Sequence, residues 1–180
     1  MLARSESLMR SDPVASAAIM VAVAGTAALL GAWFFQYVVG LAPCPLCLEQ
    51  RIPYYVAIPL ALMVAVGASV NSSRKVLIAA LLFIAAVMVW NTYLGVYHSG
   101  VEWKWWAGPI DCSGALTDLG SAGNLLSSLQ TSRVVRCDEA AWHFLGLSLA
   151  GYNALISLAL AGIAGWGALA ALRRPAEGAR

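Results

Sequence analysis

Four cysteines carry the chemistry open to this chain. Cys44 and Cys47 stand in Cys44-Pro45-Leu46-Cys47, with two residues between them, whereas Cys112 and Cys137 are separated by 24 residues. A bridge across two residues closes almost no loop and adds little as a staple, and Cys-x-x-Cys is the spacing of redox-active dithiols. The second pair reads equally well as a structural staple, worth roughly 3 kcal/mol in the chain-entropy picture. Spacing alone does not fix the pairing. Cys44 with Cys47 and Cys112 with Cys137 is the simplest arrangement, and a four-cysteine zinc site is disfavoured because the second pair lacks the short spacing such sites show. Arg51 follows Cys47 by four positions, one helical turn, so its guanidinium is expected near the Cys47 sulfur. Cys47 is expected at the outer end of a helix, where free N–H groups and the helix dipole favour a thiolate. The plainer reading of Arg51 is a side chain reaching the lipid headgroups beside Glu49.

The elements that must position these residues are membrane helices. Of the 180 residues 61% are hydrophobic and 11% charged, far from the roughly 25% charged of a soluble domain. Uncharged runs at 14–42, 52–70, 76–97 and 144–172 are each long enough for a bilayer crossing, which needs roughly 20 residues. The first is too long for the apolar core of a cleavable signal peptide, and Pro43 stands where a lipoprotein cleavage box would need a small residue. Pro53 falls in a first turn, where its missing N–H does no harm, while Pro59 lies deeper and is expected to kink its helix. The reading is an all-α integral membrane protein: one four-transmembrane-helix bundle, up and down, over 1–180, with outer loops at 43–51 and 98–143. A net charge of +2 gives no support for nucleic-acid binding.

Orientation follows from Lys and Arg in the flanks. Arg4, Arg10, Arg74, Lys75, Arg173, Arg174 and Arg180 share one face, against Arg51, Lys104, Arg133 and Arg136 on the other. By the positive-inside rule both termini are expected to be cytoplasmic. All four cysteines then fall in the two outer loops, on the oxidising side of a bacterial membrane.

The run Phe35-Gln36-Tyr37, then Pro43-Cys44-Pro45-Leu46-Cys47-Leu48-Glu49-Gln50-Arg51, then Gly100-Val101-Glu102-Trp103 ahead of Cys112, and Cys137 leading into Trp142-His143-Phe144-Leu145-Gly146-Leu147, resembles the DsbB family of inner-membrane disulfide-generating proteins over nearly the whole chain. The resemblance implies a quinone-dependent thiol-disulfide oxidoreductase of the bacterial inner membrane, its active loops facing the periplasm. A reduced periplasmic DsbA-like thiol oxidase would attack Cys112. The freed Cys137 would attack Cys44, and Cys47, held near Arg51, would pass electrons to the membrane quinone pool, as ubiquinone or menaquinone. His98 matches a family position close to the quinone, although a lone loop histidine is more often only an interfacial polar group. Pro45 inside the Cys-x-x-Cys stiffens that pair.

Other features are structural in this reading. Trp103, Trp105 and Trp106 suit an aromatic belt at the headgroups. Leu116, Leu119, Leu125, Leu126 and Leu129 suit a short helix lying on the membrane. Gln36, Asn91 and Asn153 are expected to hydrogen-bond between helices. No carboxylate is expected within the spans, which weakens an ion-coupled transporter. No heme-attachment motif is present, since Leu48 follows Cys47, nor is there a nucleotide-binding glycine fingerprint. A carrier of reductant in the opposite direction would want a cysteine reachable from the cytoplasmic side. The alternative from another class is a non-enzymatic membrane assembly factor with two structural disulfides.

Overall fold

In the computed structural model of the chain, residues 12–70, 72–109 and 136–173 are described. Cys112, Arg133 and the leucines between 116 and 129 lie outside them. Helix α1 runs Pro13–Tyr37, α2 Pro45–Glu49, α3 Ile52–Ser69, α4 Arg74–Glu102 and α5 Leu149–Arg173. Strands β1 (His143–Phe144) and β2 (Leu147–Ser148) form a small antiparallel hairpin ahead of α5. The protein is thus all-helical in its bulk, with four segments long and apolar enough to cross a membrane. At 1.5 Å per residue, the 25 residues of α1 extend about 38 Å, enough for a hydrocarbon layer of about 30 Å.

Local chemistry sets the helix ends. Asp12 caps α1, its carboxylate accepting the Val14 N–H at 3.0 Å, and Pro13 takes the first position, where no N–H is missed. The helix stops at Tyr37 rather than at 42, because the chain turns through Gly40 at φ 82°, a left-handed conformation that favours glycine. Between the strands Leu145 (φ 49°) and Gly146 (φ 82°) make the two-residue turn, which demands positive φ at both positions. That turn ends the segment expected to be helical from 144, and α5 starts at Leu149 instead. Helix α4, by contrast, continues past 97 to Glu102 and carries His98 with it.

The four long helices form a ring, α1 against α3, α3 against α4, α4 against α5 and α5 back against α1. Its centre holds Val21, Val64, Leu81, Ile84, Met88 and Leu160, all essentially solvent-free. Close approach uses small residues without any paired-glycine motif. A Cβ on Gly95 would stand 2.9 Å from the backbone nitrogen of Ala154, and one on Gly167 2.4 Å from the Ala17 methyl. The outward faces carry Val23, Leu30, Leu62, Phe83, Trp90, Trp166 and Leu169 exposed, as expected where the surrounding solvent is hydrocarbon.

Candidate active site

The loop after α1 is folded around its own cysteines. Cys44 caps α2, its Sγ accepting the Cys47 N–H at 3.2 Å, and Pro45 begins the helix. A sulfur therefore occupies the place where serine or aspartate usually satisfies a free helix N–H. The two sulfurs lie 2.8 Å apart, with no bond between them in this structure. Cys44 is 3% exposed and Cys47 half-buried. The Cys44 thiol is pushed well up from its ordinary value, first by the hydrogen bond with the Cys47 sulfur and then by burial. Two sulfurs this close do not both ionise, and the proton stays longest on Cys44.

The second loop comes to the same place. Cys137, disulfide-bonded and 1% exposed, packs in one buried cluster with Cys44, Leu46 and Val101, and Cys47 and Tyr97 lean on that cluster. Just beyond, Arg136 holds Asp138 through two hydrogen bonds of 2.8 and 2.9 Å. That hydrogen bonding, with Lys104 added, keeps the Asp138 carboxyl down at about 2. The structure thus brings together Cys44, Cys47, Cys137, Arg51 and His98 among the expected site residues. Cys112 is outside the described residues.

His98 is not a loop histidine. It sits in the last two turns of α4, 3% exposed, with Nε2 3.6 Å from the Cys44 sulfur. Its Nδ1 is 2.7 Å from the Gln50 amide nitrogen, and the ring also hydrogen-bonds the Cys137 backbone. One turn on, Glu102 places Oε1 3.9 Å from Nε2, its side chain 6% exposed, and it accepts a short hydrogen bond from the Ser148 hydroxyl. The expectation of no carboxylate in the spans is therefore corrected: extending α4 by little more than a turn buries Glu102 beside the cysteines. The signal was in the sequence, since His98 and Glu102 have the four-residue spacing of one helix face, but it is invisible while the helix is ended at 97.

Arg51 also has a partner on α1. Its guanidinium donates to Gln36 Oε1 of α1 at 2.5 Å, tying α1 to the start of α3. From there its charge faces the same cavity as the Cys47 sulfur. The cavity, about 660 Å³, is walled by Ala28, Gly31 and Phe35 of α1, Tyr152 and Ile156 of α5, and Trp142 and Phe144 of the hairpin region. Its lining is mainly apolar, with Arg51, Gln36, His98 and Glu102 among the polar groups that face it. Phe35 packs on Trp142 at 5.1 Å, and Trp142 on Phe144 at 5.8 Å, so the aromatic wall joins α1 to the second loop. Size and lining are those of a site for a small, largely apolar ligand with a few oriented polar groups.

Known proteins resemble the chain over most of its length. Residues 14–167 match the family described as Disulfide bond formation protein DsbB. A Disulfide bond formation protein B of Hahella chejuensis is 32% identical over 86% of this chain and 90% of its own length. One from Polaromonas sp. is 27% identical over 79% of this chain and 83% of its own. An uncharacterized Rickettsia prowazekii protein is 27% identical over 74% and 75%. No solved structure matches significantly.

Proposed function

The chain belongs to the DsbB family of disulfide bond formation proteins, and from that premise we propose that it re-oxidises a periplasmic DsbA-like dithiol protein and passes the two electrons to a membrane quinone. The observation that carries this reading is the meeting of Cys137 with Cys44 and Cys47 in one buried cluster at an apolar cavity that Cys44 and Cys47 line.

The exchanges balance as follows. A thiolate of the reduced partner attacks a Cys112–Cys137 disulfide at Cys112, and Cys137 leaves as thiolate. The partner's second thiolate then displaces Cys112, so the partner departs oxidised. With Cys44 and Cys47 bridged, the Cys137 thiolate attacks Cys44 and Cys47 leaves as thiolate. The Cys112 thiolate then attacks Cys137, restoring Cys112–Cys137 and releasing Cys44. The Cys44 and Cys47 dithiol would re-form its bridge by giving two electrons and two protons to the quinone. Each exchange needs a thiolate in line with a disulfide sulfur. Burial of Cys44 and Cys137 together supplies the proximity that makes such an exchange intramolecular.

The cavity suits a quinone. Its apolar walls match a hydrocarbon tail, and Arg51 and the His98 imidazole are donors suited to carbonyl oxygens. When bound, the quinone accepts two electrons and two protons and departs as quinol. Arg51, fixed by Gln36, orients the head. Glu102 and His98, 3.9 Å apart, hold protons beside it.

We place the chain in the bacterial inner membrane with the cysteine loops facing the periplasm. Peptide mapping tests the relay. A Cys47→Ser variant is expected to accumulate a Cys44–Cys137 bond, because Cys44 keeps its neighbour and loses its competitor. Recovery of Cys112–Cys137 alone, in folded protein, would exclude transfer between the loops.

A further inference from the structure

The geometry points to Gln50 as a positioning residue that selects the tautomer of His98, so that the imidazole presents Nε2–H, and not a lone pair, to the Cys44 sulfur. This deepens the functional reading above and rests on it for its purpose, although the structural relation stands by itself.

The argument turns on which end of the Gln50 amide faces the ring, an orientation assigned from the hydrogen-bond network. The same amide nitrogen lies 3.2 Å from the Leu46 carbonyl oxygen and 2.7 Å from His98 Nδ1. A backbone carbonyl only accepts, so the group facing it must be the NH₂. Turning the amide over would set oxygen against oxygen. The other end agrees, since Gln50 Oε1 accepts from the Asn153 amide at 2.7 Å. Asn153 is pinned in turn, its Oδ1 accepting the Tyr54 hydroxyl at 2.8 Å. The Tyr54 oxygen lies 3.2 Å from Ser157 Oγ, which accepts from Asn91 at 2.9 Å. The chain thus runs from Gln50 through Asn153, Tyr54 and Ser157 to Asn91, joining α3, α4 and α5.

With a donor at Nδ1, that nitrogen must be the acceptor, and the ring proton sits on Nε2. The surroundings of Nε2 are compatible, because the Cys44 sulfur at 3.6 Å and Glu102 Oε1 at 3.9 Å can each accept. A doubly protonated ring would bring donor against donor at Gln50. The tautomer also decides what the site refuses. The ligand atoms of Cys44, Cys47 and His98 lie within 4.8 Å of one another, a set that could hold a thiophilic cation. A metal-bound histidine, however, presents a lone pair to the ion and donates its other N–H outward. Gln50 enforces the reverse, leaving the sulfurs a hydrogen-bond donor in place of a third ligand.

The test is nitrogen-15 histidine spectroscopy of the full chain in detergent, with the cysteines reduced. His98 and His143 are the two histidines, so a His143→Gln sample assigns the signals. Wild type is expected to show protonated Nε2 and unprotonated Nδ1 at His98. Gln50→Glu supplies an acceptor at Nδ1 and is expected to reverse the tautomer. It should also tighten Cd²⁺ binding to the reduced protein by about 10- to 100-fold, the usual weight of an outer-shell partner, read from the cadmium–thiolate absorbance. Gln50→Leu should lose the single tautomer. A wild-type His98 protonated on Nδ1, or a Gln50→Glu protein with unchanged tautomer and Cd²⁺ affinity, would overturn the assignment. None of these readouts needs a partner or quinone. Failure of quinone reduction with the tautomer as stated would therefore count against the functional reading alone.

Discussion

The sulfur of Cys44 lies 3.6 Å from Nε2 of His98, and this contact ties the first outer loop to the end of α4. Around it Cys137, Gln50 and Glu102 close in from the second loop, from the end of α2 and from the last turn of α4. Cys44 and Cys47 are thus held in a buried polar pocket at the edge of an apolar cavity, and each contact has a consequence that can be measured.

In the dithiol form the two cysteines should differ in reactivity. Cys44 is buried and its thiol is pushed up, so at neutral pH it remains protonated. Iodoacetamide is expected to modify Cys47 first, with alkylation of Cys44 slow at neutral pH and rising with pH. The sign for stability follows: a thiol raised in the folded state favours folding below its unfolded value of about 8.5, and that contribution fades as pH rises above it. Peptide-resolved mass spectrometry across pH 6–10 checks the order of labelling, and equal rates at the two cysteines would contradict it.

Glu102 should matter to turnover more than to binding. Glu102→Gln keeps the contact with Ser148 and removes an exchangeable carboxyl proton, so kcat with quinone is expected to fall on the order of a hundredfold with KM little changed. Steady-state quinone reduction decides this, and an unchanged kcat would remove Glu102 from proton handling.

Arg51→Lys keeps the positive charge and loses the planar fork that meets Gln36. The expected result is a KM for quinone raised roughly tenfold, equivalent to about 1.4 kcal/mol, with kcat less affected. A variant with wild-type KM would show that the guanidinium does not orient the head.

How much of this was legible in the sequence depends on the kind of signal. The spans were readable because long uncharged runs in a chain of few charges have one physical explanation, and the four apolar helices are there. The ends were not. An apolar run stays hydrophobic through Val38 and Val39, yet Gly40 has already turned the chain. His98 and Glu102 look like loop polarity until α4 is continued to the point where Lys104, at φ 60°, breaks it. Gln36, Asn91 and Asn153 read correctly as bonding between helices. Gln50, inside the recognised motif beside Arg51, was passed over because an uncharged amide carries no chemistry of its own; its importance arises only from what stands on either side of it.

The close contact between α4 and α5 gives a test of the bundle itself. Gly95→Ala would drive a methyl to 2.9 Å from the Ala154 backbone, and overpacking of this kind costs about 1–3 kcal/mol. Thermal unfolding in detergent should show a lowered midpoint, whereas Gly162→Ala, with open space at that position, should not. Equal midpoints for the two variants would contradict the packing.

The most direct test of the relay mixes the purified protein in detergent with a reduced DsbA-type partner and a soluble quinone, following quinone absorbance in wild type and in Cys47→Ser. Rapid loss of quinone in wild type, abolished in the variant, is the result this account requires, with Cys47 as the point where electrons leave the protein. A folded wild-type protein that oxidises no partner and reduces no quinone, or a Cys47→Ser variant that reduces quinone as fast as wild type, would contradict it.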